Sequence, residues 1–299
     1  MEQVFVVSKF DPFLSKGVRL AEAPTIELKT YQKRIYNKLC KLEIPNNIFC
    51  GMKGKSYMDN ARQHINNKIM FKIDISKFYP SITRDKVYRF FVKNMKMSPD
   101  VSEIMTNFAT IDLDLKKQTT KNMISVNNFM SQKQIHVRNH LATGTPFGSL
   151  LSYLVNIDMY SELQNYADKN GLTMTAYIDD IAFSTNNNIS GKMRRDIINI
   201  IRKHKYCANM KKCKYYGENI PKRLTGGIIT TSKKIDAQNK LIQKANKISE
   251  KLKNKTLTLN DINYSYGIIA SIEMSDRKMP QLKKQLKIYR KIKYKKTPN

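Results

Sequence analysis

Three aspartates in this sequence could share a cation. Asp179 and Asp180 are adjacent in the segment TAYIDDIAFS, which is apolar on both sides of them. Two apolar strand halves around a polar centre predict a β-hairpin whose tip presents both carboxylates. Asp74 follows another apolar run, in FKIDISKFYPSI. An acid in such a run is costly unless something pairs with it, and a divalent cation is the natural partner if Asp74 lies beside the hairpin tip.

The chemistry that fits such a trio is nucleotidyl transfer. That reaction uses two Mg2+ ions about 3.5–4 Å apart, one at the attacking hydroxyl and one at the triphosphate. Mg2+ prefers carboxylate oxygens and water, so aspartates from separate strands are suitable ligands. A strand Asp followed about a hundred residues later by a hairpin Asp-Asp is typical of the palm of a right-hand polymerase. An ordinary turn is the alternative for the adjacent pair taken alone.

Strands and helices of clear periodicity surround these aspartates. Alternation in IMFKIDI places Lys72 and Asp74 on one strand face, with Ile73 and Ile75 on the other. Further strands are predicted at LTMTAYI, IAFST and RLTGGIITT, and helices at IELKTYQKRIYNKLCKL and RDKVYRFFVKNM. The chain is therefore predicted to combine helices with an antiparallel, hairpin-containing sheet.

Composition and charge restrict the partners. The 299 residues are 41% apolar and 26% charged, which is a globular composition, and the formal net charge is +30. Such self-repulsion is best tolerated beside a polyanion, so nucleic acid is the first partner to expect and an anionic membrane surface the second. No stretch approaches the about 18 apolar residues of a spanning helix. With no secretion signal and four cysteines that lack metal-site spacing, we expect reduced thiols, a cytoplasmic location and no membrane partner.

The C-terminal segment is more basic than the rest. From Ser232 onward the chain has 18 Lys or Arg against 5 Asp or Glu. Helices are predicted at NKLIQKANKISEKLKNK and from about Pro280 through MPQLKKQLKIYRKIKYKK, where Lys284, Lys287 and Lys291 recur at helical spacing. We expect a basic helical module that follows a phosphate backbone; two surface helices with lysines for solubility are the alternative.

One long polar segment, residues 111–140, interrupts the pattern. It is irregular, and loops of about 30 residues are usually functional or disordered. Its basic residues suit an RNA-facing insertion.

Five motifs, in order, resemble those of reverse transcriptases, most of all the bacterial retron reverse transcriptases. They are VRLAEAPTIELKTYQKRI, IFCGMKGKSYMDNARQHINNKIMFKIDISKFYPSIT, HLATGTPFGSLLS, TAYIDDIAFS, and NMKKCKYYGENIPKRLTGGIIT. Two positions differ from the motifs of that family. Ile178 stands where a small residue usually precedes the Asp pair, and Thr143 stands where the loop usually has Gln. These differences fit a divergent retron or another phage-defence reverse transcriptase.

The resemblance implies an α/β (α+β) right-hand polymerase with fingers, a palm that bears an antiparallel sheet, and a helical basic thumb. The fingers are expected at residues 1–68 and 84–145, with the insertion at about 111–140. The palm is expected at 69–83 and 146–231, and the thumb at 232–299.

The resemblance also implies roles for individual residues. Asp74, Asp179 and Asp180 match the catalytic, metal-binding aspartates, and Ile75 would offer a backbone carbonyl to the second of two Mg2+ ions. The residues matching nucleotide-binding positions are Arg19, Tyr79, Gly144 and Lys212. The residues expected to bind nucleic acid are Lys53, Lys55, Asn60, His64, Arg223, Thr225, Gly226, Lys284, Lys287 and Lys291.

Several of these residues have a plainer alternative. Tyr79 matches the bulky residue that blocks a ribose 2′-hydroxyl, but it could be a core aromatic. Arg19 and Lys212 could be solvated surface cations. Asn60 and His64 could have a structural role and make no RNA contact.

The function that follows is RNA-directed DNA synthesis from dNTPs. Retron resemblance implies a structured non-coding RNA that serves as template and primer, a cDNA product, an anti-phage role and a separate effector protein. The alternatives are another defence-associated reverse transcriptase lineage, a polymerase that adds nucleotides without a template, an RNA-dependent RNA polymerase and a non-catalytic RNA-binding scaffold.

Overall fold

A computed structural model describes residues 5–9, 20–114, 127–132 and 134–295 of the chain. The strands are β1 (Phe5–Lys9), β2 (Leu20–Pro24), β3 (Ile69–Asp74), β4 (Thr110–Asp112), β5 (Asn139–Leu141), β6 (Thr173–Tyr177), β7 (Asp180–Thr185), β8 (Lys214–Tyr216), β9 (Lys222–Leu224), β10 (Gly227–Ile229) and β11 (Ile235–Ala237). The helices are α1 (Ile26–Leu39), α2 (Tyr57–Arg62), α3 (Arg84–Arg89), α4 (Pro99–Ala109), α5 (Gly148–Leu154), α6 (Ile157–Lys169), α7 (Gly191–Lys203), α8 (Asn239–Lys253), α9 (Leu259–Glu273) and α10 (Pro280–Lys295). A 3-10 turn covers Tyr79–Ser81 and a π-helical turn covers Phe90–Asn94.

The central sheet has four strands in the order β6-β7-β3-β8. β3 is antiparallel to β7, and their register pairs Ile69 with Thr185 at one end and Asp74 with Asp180 at the other. β6 and β7 form the predicted hairpin, which is thereby confirmed. The register carries both Asp74 and the hairpin tip to the same end of the sheet.

β3 is buried on both faces, whereas its alternation of polar and apolar residues predicts one buried face. Phe71 and Ile73 belong to the main core, which α5, α6 and α7 cover. Met70, on the opposite face, packs with Ala182 of β7 in a second core beneath α2 and the three-stranded sheet β11-β10-β9. A strand held between two cores has little freedom to slip, because a shift of one residue would exchange its two faces.

Two predicted segments differ in detail from the structure. RLTGGIITT forms two strands, β9 and β10, because Thr225 and Gly226 have φ angles of +45° and +115° and turn the chain between them. The segment 111–140 was expected to be irregular, and this expectation is wrong at its ends: β4 and β5 pair, and Ile111, Leu113 and Met130 form a small core. Residues 115–126 and 133 of this segment lie outside the described residues.

The three C-terminal helices pack around a core of their own. Ile248 of α8, Ile269 of α9 and Leu286 of α10 are buried in it. The two helices expected from the sequence, α8 and α10, are confirmed. Sequence analysis did not identify α9, whose apolar residues leave no clear polar stripe. Its capping box, Thr258 with Asp261, is the local signal that marks its start.

Charged residues join this bundle to the rest of the protein. Arg277 contacts Asp236, with an N–O distance of 2.7 Å, and Arg62 of α2 lies 3.2 Å from Asp276.

Among the residues described, no helix is long and apolar enough to cross a bilayer. The four cysteines are free thiols.

His64 links α2 to the central sheet from a fully buried position. Its Nδ1 lies 2.6 Å from Ser184 Oγ, and its Nε2 lies 2.7 Å from Thr175 Oγ1. Burial lowers the pKa of His64 to about 3, so the imidazole is neutral in the folded protein at neutral pH. Below pH 6.5 the unfolded chain takes up a proton at His64 that the folded protein does not, so this contribution to stability is lost as the pH falls from about 6.5 towards 3.

We therefore expect His64→Gln to make stability less sensitive to acid. Between pH 6 and 4, the free energy of unfolding should fall more steeply in the wild type than in the variant, by up to about 1.4 kcal/mol per pH unit. Urea unfolding at three pH values measures the two slopes, whatever the stability of the variant at neutral pH. His136→Gln, at an exposed histidine, is the control and should keep the wild-type slope. Equal slopes for His64→Gln and wild type would contradict the assignment.

Candidate active site

The three aspartates lie together at one end of the central sheet. Asp74 ends β3, Asp180 begins β7 opposite it, and Asp179 lies in the turn of the hairpin. The backbone N–H of Ile75 donates to the carbonyl oxygen of Asp179 at 3.0 Å, which ties the turn to β3. Asp74 therefore lies beside the hairpin tip, which is the condition under which the sequence analysis expected the aspartates to share a cation.

The turn itself is strained at Ile178. This residue has a φ of +57°, in the left-handed region that a β-branched side chain rarely adopts. Such a conformation costs about 1–3 kcal/mol and persists only where neighbouring contacts enforce it. Here the Tyr160 hydroxyl donates to the carbonyl oxygen of Ile178 at 2.7 Å. This hydrogen bond helps to hold Ile178 in the left-handed conformation.

Two lysines partly neutralise the aspartates. Lys72 Nζ lies 3.0 Å from Asp180, and Lys212 Nζ lies 2.9 Å from Asp74. Among the described residues Asp179 has no ion pair of this kind. Burial, followed by the charges of Asp180 and Asp74, raises the pKa of Asp179 to about 6. Burial also raises the pKa of Asp180, and Lys72 opposes that rise.

The donor set fits a divalent cation in its chemistry. Three carboxylates provide hard oxygen donors, and burial, followed by the charges of Asp180 and Asp74, raises the pKa of Asp179 to about 6. No three Asp, Glu, His or Cys side chains already surround one point in the part of the chain that the structure describes. The ammonium groups of Lys72 and Lys212 occupy positions beside two of the three carboxylates, so a cation would have to share or displace them.

Tyr79 lies in the 3-10 turn five residues after Asp74. It is partly buried, its hydroxyl is 3.3 Å from Ser149 Oγ, and its ring meets that of Phe78 edge-on. Burial raises its pKa, and the negative charge of Asp179 adds to the rise. Tyr79 is therefore close enough to Asp179 for the charge of that carboxylate to affect its hydroxyl.

Gly144 lies in a loop that β2 holds tightly. A Cβ at this position would lie 2.2 Å from the carbonyl oxygen of Glu22, which accepts a hydrogen bond from the Gly144 N–H at 2.9 Å. The buried Glu22 carboxylate also accepts from the Thr143 N–H at 3.0 Å and lies 2.9 Å from His140 Nε2. Sequence analysis missed Glu22; an acid inside the short strand LAEAP was the available signal.

Several residues expected to bind nucleic acid have structural contacts instead of free surfaces. Asn60, like His64, is fully buried, and its Nδ2 donates to Thr225 Oγ1 at 3.2 Å. The Thr225 hydroxyl donates to the carbonyl oxygen of Tyr57, and Gly226 lies against the Tyr57 ring. For Asn60 and His64, this placement favours the structural alternative over direct RNA contact.

The remaining basic positions are more accessible. Lys53 and Arg223 are exposed, and Arg223 donates to Gln238 at 3.0 Å. Lys55 donates to the carbonyl oxygens of Pro45 and Ile48, which makes it part of the loop's structure. Lys284, Lys287 and Lys291 are exposed on α10. Arg19 lies outside the described residues.

Comparison with known proteins agrees with this geometry. Residues 7–236 match the family described as reverse transcriptase (RNA-dependent DNA polymerase). Together with the antiparallel sheet and its surrounding helices, this match confirms the α/β (α+β) right-hand polymerase class predicted from the sequence.

Curated relatives are retron reverse transcriptases. The chain is 26% identical over 191 residues to the Retron Se72 reverse transcriptase of Salmonella heidelberg, covering 62% of this chain and 43% of that protein. It is 25% identical over 233 residues to the Retron Ec86 reverse transcriptase of Escherichia coli, covering 77% of this chain and 64% of that protein. The chain thus spans less than two thirds of the length of either relative.

Solved structures show more distant similarity. Apo telomerase from Candida tropicalis, truncated from its C-terminal domain, is 12% identical with a TM-score of 0.46 and covers 74% of this chain and 53% of that one. The foamy viral protease-reverse transcriptase in complex with double-stranded DNA is 16% identical with a TM-score of 0.49, and covers 98% of this chain and 39% of that one.

The electrostatics of the site predict that Asp179→Asn stabilises the metal-free protein. Because folding raises the pKa of Asp179 to about 6, its stabilising contribution is present below about pH 4 and is lost as the pH rises through 6. At pH 8 in EDTA the variant should be more stable by about 1 kcal/mol, a value reduced for screening of a partly exposed side chain. Thermal unfolding measures the shift, and a midpoint equal to or below that of wild type would contradict the expected repulsion.

Proposed function

The chain belongs to the reverse transcriptase family, and from that membership we propose that it is an RNA-directed DNA polymerase. The observation that supports this most directly is the convergence of Asp74, Asp179 and Asp180 at one end of β3 and β7. Two independent observations therefore agree. The sequence motifs match these residues to the family's catalytic aspartates, and the register of the sheet brings the same residues together.

In this proposal the three aspartates and the backbone carbonyl of Ile75 hold two Mg2+ ions. When bound, such ions activate the primer hydroxyl and neutralise the triphosphate of the incoming nucleotide. Lys212, already in contact with Asp74, would move towards the leaving pyrophosphate. Arg19 would neutralise the triphosphate.

Two further residues shape the nucleotide pocket in the proposal. Tyr79 would pack against the deoxyribose, since its ring is held by Phe78 and Ser149 beside the aspartates. Gly144 would place the loop beneath the templating base pair, because only glycine allows this backbone to approach Glu22 so closely.

The domain organisation proposed from the sequence assigns residues 1–68 and 84–145 to the fingers, 69–83 and 146–231 to the palm, and 232–299 to the thumb. The separate core of the three C-terminal helices supports treating them as a unit. Their exposed Lys284, Lys287 and Lys291 support a thumb that follows a phosphate backbone.

The retron relatives support a narrower proposal about partners. A structured non-coding RNA would serve as template and primer, giving a cDNA that stays attached to it, in an anti-phage system with a separate effector protein. The protein would act in the cytoplasm. Sequencing the nucleic acid that copurifies with the protein tests this: a defined branched RNA–DNA species supports it, whereas RNA alone points to a scaffold.

The catalytic assignment predicts that Asp179→Asn abolishes DNA synthesis while the protein stays folded. Losing about 4 kcal/mol of transition-state stabilisation slows synthesis about a thousandfold. Primer extension on an RNA template, at saturating Mg2+ and dNTP, measures the rate. Asp168→Asn, at an exposed aspartate of α6, is the matched control and should keep the wild-type rate. A near wild-type rate for Asp179→Asn would overturn the assignment.

The proposed role of Tyr79 predicts a change in sugar selection. Tyr79→Val should open space for a 2′-hydroxyl and raise ribonucleotide incorporation relative to deoxyribonucleotide about tenfold or more, equivalent to about 1.4 kcal/mol. The ratio of kcat/KM values for matched dNTP and NTP pairs measures this. Tyr79→Phe keeps the ring, removes the hydroxyl that contacts Ser149, and should leave the ratio unchanged. If Tyr79→Val is active with an unchanged ratio, Tyr79 is a core aromatic.

The proposed thumb predicts a change in the salt dependence of RNA binding. Each phosphate contact contributes about 0.7–0.9 to the slope of log affinity against log salt, so replacing Lys284, Lys287 and Lys291 by Gln should flatten the slope by about two. Because phosphates carry no sequence information, cognate and unrelated RNA should be affected alike.

The matched control removes the same charge from another helix. Lys29, Lys33 and Lys38 are exposed on α1, and their triple replacement lowers the net charge equally. Binding measured across a salt series, with circular dichroism to verify folding, compares the two triple variants. An unaltered slope for the α10 variant would contradict the proposal and favour the alternative that the lysines of α10 serve solubility.

A further inference from the structure

Lys72 has an uncommon position for a lysine, inside the central strand of the sheet. It belongs to β3, two residues before Asp74, and its side chain is only 18% exposed. Its Nζ lies 3.0 and 3.1 Å from the two carboxylate oxygens of Asp180 on the neighbouring strand. Holding a lysine here costs hydration and side-chain freedom, which the contact with Asp180 offsets.

The strand register explains why Lys72 extends towards Asp180. On β7 its paired residue is Ala182, whose small side chain leaves room along that strand. On β8 its paired residue is Lys214, an exposed cation whose like charge repels it. Lys72 therefore has space and attraction on one side and repulsion on the other.

The Lys72 side chain has less freedom to move than that of Lys212, the second lysine at the site. The Lys212 side chain is 57% exposed and projects from a loop, so it can turn into water when another cation approaches Asp74. The Lys72 side chain is fixed at its base by a strand buried on both faces. If a metal ion took the place of Lys72 at Asp180, the Lys72 ammonium group would therefore stay beside the site, largely withdrawn from water.

We propose that Lys72 is a built-in counter-ion of Asp180 that sets the divalent-metal affinity of the site. The proposal rests on the proposed function, because it takes Asp180 to be a metal ligand. Without metal, Lys72 offsets the repulsion among the three aspartates and stabilises the folded protein. A metal ion that binds Asp180 must share its carboxylate with the Lys72 ammonium group or displace that group, so Lys72 weakens metal binding. Lys72 is thus a positioning residue that acts through Asp180.

Mn2+ binding to the protein without nucleic acid or nucleotide tests this directly. We expect Lys72→Met, which keeps the length of the side chain and removes its charge, to tighten Mn2+ binding about threefold or more. In the Asp180→Asn background the same change should bring no gain, because the ligand for which Lys72 competes is gone. Electron paramagnetic resonance of free Mn2+ measures both affinities.

Two variants separate competition at Asp180 from a general effect of charge. Lys214→Met removes the same charge from the adjacent strand and should change Mn2+ affinity much less than Lys72→Met. Lys72→Arg keeps the charge and should bind Mn2+ no more tightly than wild type. The proposal is overturned if Lys72→Met does not tighten binding, if the gain persists with Asp180→Asn, or if Lys214→Met gives an equal gain.

The stability of the metal-free protein provides a second readout. In EDTA, Lys72→Met should lower the midpoint of thermal unfolding by a few degrees, and adding Asp180→Asn should recover part of the loss, since neither charge then lacks a partner. Lys68 and Glu218 form an exposed ion pair at 2.8 Å and provide the matched control cycle. Their coupling should be close to zero. Coupling between Lys72 and Asp180 no larger than this control would overturn the proposal.

Neither readout depends on DNA synthesis. If the wild-type protein fails to extend a primer on RNA, the proposed function fails, while the Mn2+ and stability cycles still report on Lys72. If the wild type polymerises and Lys72→Met leaves Mn2+ affinity unchanged, only the role of Lys72 is overturned.

Discussion

The repulsion among three carboxylates at one end of a β-sheet is the constraint on which this structure depends. The pairing of Asp74 with Asp180 places two of them on adjacent strands, and the hairpin turn adds Asp179. Each is partly or largely withdrawn from water, so the repulsion is poorly screened. A cation placed among the three carboxylates would relieve this repulsion, which is the physical basis of the proposed metal binding.

The surrounding structure resists this repulsion by rigidity. β3 lies between two cores, so neither Asp74 nor Lys72 can move away by a shift of the strand. The hydrogen bond from Tyr160 holds Ile178 in a strained conformation and fixes the direction of the turn. Within the described residues, only two lysines form ion pairs with the aspartates. Lys72 lies in the buried strand β3, whereas Lys212 lies in a loop. Rigid carboxylates with one buried and one exposed lysine beside them fit the proposed exchange of charged groups at this site.

Away from the aspartates, charge and packing are organised separately. The C-terminal helices carry much of the positive charge of the chain on their exposed faces, while Ile248, Ile269 and Leu286 hold them together. Ion pairs join this bundle to α2 and β11, and the backbone N–H of Ile235 donates to Asp276 at 2.7 Å. The basic surface of these helices is therefore built on a core separate from the two cores that hold β3.

Much of the site was determined by the sequence itself, and what remained depended on contacts distant in the chain. Local patterns predicted β3, the β6–β7 hairpin, α1, α8 and α10, because each periodicity requires one buried face. Motif order predicted the family and the three aspartates. The sequence did not reveal the partners of buried polar groups: His64 with Thr175 and Ser184, Glu22 with His140, and Lys72 with Asp180. These pairs are separated by about a hundred residues or more, and only strand register and core packing decide which polar group meets which, because no local pattern encodes a contact that the whole fold has to assemble.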